Sequence, residues 1–136
     1  PIRLIFLMKK FLLGALVAVT TLFMASCKSG GSSNYTMGGP EPTINTEAGT
    51  VNGTAYDNKT EYCWEVTETA SASYGGATAK ETETFYTWCT EFQLVATMEK
   101  TMWGVAQAGY ASASYSYKKA NANDYDSCKA LDKNED

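Results

Sequence analysis

The sequence predicts a small α+β domain: an antiparallel sheet of three to four strands with one long helix packed on one face. Three observations carry that reading. Apolar and polar residues alternate with period two on both sides of Gly75-Gly76-Ala77, a capping box at Thr90 opens a stretch of helical spacing, and period two returns after Gly109.

Taken in order, residues 40–49 form a polar, irregular lead-in. Residues 50–56 predict a short strand broken at Asn52-Gly53, and residues 57–60 a turn. Tyr62, Trp64, Val66, Ala70 and Ala72 then alternate with Cys63, Glu65, Thr67, Ser71 and Ser73, the pattern of a half-buried strand. A second alternating run covers residues 80–88. In residues 90–108, Thr90 and Gln93 make the capping box, with Cys89 and Leu94 placed as a hydrophobic staple. Phe92, Val95, Ala96, Met102, Val105 and Ala106 recur at helical spacing, and Gly109 suits the left-handed residue that ends a helix. Residues 110–118 return to strand, and Tyr125, Cys128 and Leu131 place a short helix over residues 124–131.

The hairpin around Gly75 has two possible registers. A three-residue loop pairs Tyr74 with Thr78 and, by extension, Trp64 with Trp88 and Cys63 with Cys89. A two-residue loop slips one strand by a place and sets Glu83 and Thr87 on the aromatic face, because a one-residue slip turns every side chain over. The hydrophobic pattern selects the first, so Cys63–Cys89 is the expected disulfide. Directly opposed Cα atoms lie about 4.5–5.5 Å apart, within reach of a bridge. Cys128 is the alternative partner.

There is no histidine among the 136 residues. That removes Ser-His-Asp and Cys-His catalysis and histidine-based metal centres. From residue 27 onward, eight basic residues face fifteen acidic ones, a formal charge of −7. Such a domain repels phosphate backbones, so no nucleic-acid partner is expected.

Residues 1–29 require separate treatment. Met8-Lys9-Lys10 is a basic start, followed by an apolar or small run over residues 11–25 that is shorter than the ~20 residues of a membrane span. It ends at Met24-Ala25-Ser26-Cys27. In residues 8–27 the chain resembles bacterial lipoproteins, although methionine stands at position 24 where leucine is usual. The resemblance implies a signal over residues 1–26, residues 1–7 being spurious upstream sequence, and acyl chains such as palmitate on Cys27. It also implies a place in the cell envelope. Lys28 stands where an aspartate retains some such proteins at the inner membrane, which favours the outer one. The alternative is an uncleaved signal anchor, with Lys9 and Lys10 interrupting its apolar run. Gly30, Gly31, Ser32 and Ser33 read as part of a flexible tether over residues 27–49, leaving residues 50–136 as the folded domain.

The tyrosines and tryptophans offer either a stacking platform or core; their shared face favours core. Trp103, on the flank of the helical stripe, and Tyr110, on the outer side of its strand, are the expected exposed contact residues. Glu61, Glu65, Glu68, Glu81 and Glu83 read as a solvated strand face rather than a hydrolytic pair. The ending Asp132-x-Asn134-x-Asp136 lacks the glycine and closing glutamate of a calcium loop. No metal or cofactor is expected. The functional expectation is a membrane-anchored binding module contacting an envelope protein or glycan, with a ligand-free structural component as the alternative and a hydrolase behind both.

Overall fold

Alternation in the sequence becomes sheet in the computed structural model, which describes residues 30–74 and 76–132. The expected signal and the lipid-bearing Cys27 lie outside these residues. The described elements run β1 (Gly30–Thr36), β2 (Ile44–Asn45), β3 (Thr50–Val51), β4 (Thr54–Ala55), β5 (Glu61–Tyr74), β6 (Ala77–Thr90), α1 (Glu91–Gln107), β7 (Ser112–Lys119) and α2 (Tyr125–Leu131). One antiparallel sheet has the order β1-β7-β5-β6, and a small second sheet the order β2-β3-β4. The fold is thus mixed helix and strand, as expected, with the short second helix where the sequence put it and a second sheet beyond the single-sheet expectation.

β1 overturns the tether. Gly30 pairs with Lys118 and Gly31 with Tyr117, so the body begins at residue 30 rather than 50. The glycines that read as flexibility make room for a neighbour. A Cβ at Gly30 would collide with the Tyr117 carbonyl oxygen, and one at Gly31 would come within 3.2 Å of the Tyr117 ring. The connection beyond β1 is held too. Gln107 clips it by accepting from the Gly38 amide (2.8 Å) and donating to the Thr36 carbonyl (3.1 Å).

The hairpin takes the two-residue turn, with Tyr74 opposite Ala77 and Gly76 at φ 89°. Cys63 therefore opposes Trp88 and Cys89 opposes Tyr62, which puts the two cysteines on opposite faces. The expected Cys63–Cys89 bridge does not form. The disulfide is Cys63–Cys128, with Cα atoms 5.5 Å apart, and Cys89 is a half-buried free thiol. The rejected register set Glu83 on the aromatic face, and Glu83 is there, 4% exposed and directly across from Glu68 at 2%. Glu68 shares the parity of Trp64 in either register. The inner face carried an acid from the start, and the hydrophobic pattern had no power to exclude a second.

Thr90 caps α1 as expected: its hydroxyl accepts from the Gln93 amide (3.2 Å), and the Gln93 carboxamide accepts from the Thr90 amide (3.0 Å). Asp57 supplies a carbonyl to the first-turn amide of Phe92 at 2.9 Å. The helix lays Phe92, Val95, Met98, Met102 and Val105 over Trp64, Val66, Phe85, Ala113 and Tyr115 to form the core. At roughly 25 cal/mol per Å² of buried apolar surface, this face supplies most of the folding drive. The Asp124 side chain caps α2 by accepting from the Ser127 amide at 2.8 Å. The disulfide holds α2 against the opposite face of the sheet, at the Cys63 end. No described helix is long and apolar enough to cross a membrane.

Candidate functional site

Helical spacing places a carboxylate inside the apolar stripe of α1: Glu99 follows Val95 by four residues and precedes Met102 by three. It is 6% exposed. A group of that polarity needs bonded partners once it leaves water. The sheet provides them. The Tyr115 hydroxyl donates to Glu99 Oε2 at 2.6 Å, and the Tyr35 hydroxyl donates to Oε1. Two turns earlier, Glu91 Oε2 accepts from the Tyr117 hydroxyl at 2.7 Å. Register aligns these groups: Tyr35 opposes Ala113, Ser33 opposes Tyr115 and Gly31 opposes Tyr117, all on the inner face.

Glu91, Glu99, Tyr115 and Tyr117 line an open cleft of about 520 Å³ between the start of β1, the β3–β4 hairpin and α1, and Tyr35 stands behind it on Glu99. Its rim includes Asn52, whose left-handed φ of 52° with Gly53 at 84° makes the tight hairpin turn. The tyrosines report the field inside. Burial, then the bond to Glu99 and its charge, pushes the Tyr35 hydroxyl pKa well above the ordinary value of 10. Burial and the Glu99 charge do the same to Tyr115, and burial with the Glu91 bond to Tyr117. Tyr56 is raised first by burial and then by the charges of Glu99 and Glu91 together. All four phenols therefore stay protonated through neutral pH. Three of them spend that proton on a carboxylate, so the oxygens left toward the cleft are acceptors. Two carboxylates beside the Tyr56, Tyr115 and Tyr117 rings suit a donor-rich cation.

The expected contact residues lie elsewhere. Trp103 is half-buried, with its indole N–H donating to the Gly39 carbonyl at 2.9 Å, so it fixes the connection after β1. Tyr110 is half-buried against the core. The large apolar side chains that stand out in solvent are Met37 and Tyr125, 58% and 56% exposed. Glu68 and Glu83 are not on a solvated face but under α1. Among the described residues, no cluster of three cysteines or carboxylates is arranged to hold a metal ion. The cleft residues Tyr56, Glu91 and Glu99, with Tyr35 behind them on Glu99, were missed from sequence, and only Glu99, an acid within an apolar helical stripe, left a readable signal. Compared with protein-family models, curated proteins and solved structures, the chain matches none.

Proposed function

We propose that this chain is a lipid-anchored binding module of a bacterial envelope whose cleft receives a primary ammonium or guanidinium group. The observation that carries the ligand class is the cleft itself: Tyr115 and Tyr117 donate to Glu99 and Glu91, which sets two carboxylates beside aromatic rings in its lining. The lipid anchor is supported by the resemblance of residues 8–27 to lipoprotein signals. Binding rather than turnover fits phenols held protonated and carboxylates already engaged by hydroxyls.

The test is calorimetric titration of the protein with ethanolamine, putrescine, guanidinium and tetramethylammonium, repeated on Glu99→Gln. Primary amines or guanidinium bind the native protein, bind Glu99→Gln at least about tenfold more weakly, and outcompete tetramethylammonium, which has no N–H to donate. Binding to none of the four removes the cationic-ligand reading and returns the chain to a structural role.

A further inference from the structure

The first ordered strand begins three residues after Cys27. If the body hung from a long tether, its orientation over the membrane would be free. It does not: Gly30 is already paired with Lys118 in β1. Three residues of fully extended chain reach only about 11 Å. With acyl chains on Cys27, a reading this inference rests on, the start of β1 must lie within about 11 Å of the bilayer surface. The far end of β1, six residues on at Thr36, is about 20 Å away along the strand.

Register tells which residues share that near end. Lys118 opposes Gly30, Lys119 opposes Trp64, and the Ala120 amide donates to the Cys63 carbonyl at 2.8 Å. The disulfide brings α2, with its exposed Tyr125, to the same end. The Lys118 side chain is 69% exposed, and the Lys119 ammonium lies 3.7 Å from the centre of the Tyr62 ring. Four carboxylates of this end are engaged, while Asp126 of α2 is exposed. Glu65 meets Lys118 at 3.7 Å, Glu61 accepts from the Trp88 indole at 3.1 Å, Glu91 accepts from Tyr117, and Asp124 caps α2. Lysines beside an aromatic ring suit the headgroup layer of a phospholipid surface.

The geometry points to a fixed, close docking on the membrane: the end of the sheet bearing Gly30, Lys118 and Lys119 faces the lipid headgroups. Lys80 sits at the other end of the sheet, across from Ser71 and level with Thr36, and Lys100 of α1 pairs with Glu41 at 3.3 Å. Because Gly30 and Gly31 line the cleft, its mouth opens beside the headgroups.

The test uses the full chain expressed in a bacterial host and reconstituted in vesicles of phosphatidylcholine and phosphatidylglycerol. Lysines are acetylated with an amine-reactive reagent and read by peptide mass spectrometry. Lys118 and Lys119 are modified several-fold less than in unacylated Cys27→Ser mixed with the same vesicles, while Lys80 and Lys100 react equally in both. A Gly/Ser insert of about ten residues before Gly30, adding up to about 33 Å of reach, restores the lost labelling. Equal labelling of all four lysines in an acylated chain, or protection unchanged by the insert, overturns the docking. The intact mass separates this from the premise: a chain without acyl mass sinks the anchor reading and the docking with it.

Discussion

Under α1 the sheet holds Glu68, Glu83, Tyr115 and Tyr117 among aromatic and aliphatic side chains. On its other face, Thr67 pairs with Thr84, Thr69 with Thr82 and Ser71 with Ser112, at hydroxyl separations of 3.1, 3.1 and 2.9 Å. Both sets come from the same alternating strands, and both are polar. They differ in whether water can replace a lost partner. On the threonine face it can, and a broken hydroxyl pair is resolvated. Around Tyr115 and Glu99, 3% and 6% exposed, it has little access, so their bond is an obligation that holds α1 in one position on the sheet. The inner polar groups specify geometry, and the outer ones keep a broad face compatible with solvent.

The largest expected effect breaks the cover at one end of the threonine face. Cys128→Ser opens a bridge spanning 65 residues and lowers the unfolding free energy by about 4 kcal/mol on the loop-entropy scale. Urea denaturation measures it, and Cys89→Ser leaves the midpoint within error. The reverse order of the two variants would contradict the pairing.

Next comes Tyr115→Phe, which strips a donor from buried Glu99 and costs about 1–3 kcal/mol in the same assay. A loss no larger than that of an outer-face substitution would erase the distinction between the faces.

The pH arm has a definite sign. The folded pKa of Tyr115 lies well above 10, so the unfolded chain loses this proton first. The associated stability is complete below pH 10 and falls above it by about 1 kcal/mol per pH unit until the folded value is reached. Alkaline denaturation followed by phenolate absorbance reads this: the Tyr115 phenolate appears with unfolding, not before it. At the small end, Thr69→Val shifts stability by about 0.5 kcal/mol or less in either direction. Cys89, whose thiol burial pushes up to about 11, reacts with iodoacetamide at pH 8 far more slowly than a model thiol and accelerates as pH approaches that value.

Local rules located most of the elements. The Thr90–Gln93 box starts α1 where its spacing indicated, Asn52-Gly53 turns a hairpin, and Asp124 opens α2. The failures share a cause: each needed a residue's partner in space. Gly30 and Gly31 have the composition of a linker, and only the ring and carbonyl of Tyr117 turn them into a strand. Glu83 has the chemistry of a surface residue, and only the turn length after Tyr74 places it inside. The cleft draws Ser33, Tyr56 and Glu99 from three distant stretches of chain, so no local window contains it.

The two-residue turn also bears on how the protein is made. A chain emerging from its N-terminus presents Cys63 and Cys89 long before Cys128 exists, and early oxidation would join the wrong pair. Once the hairpin closes, those two thiols lie on opposite faces and are out of each other's reach. The turn thereby keeps Cys63 from Cys89 in the closed hairpin and leaves it to Cys128. A register slip of one residue would instead leave a covalent dead end for a disulfide isomerase to undo.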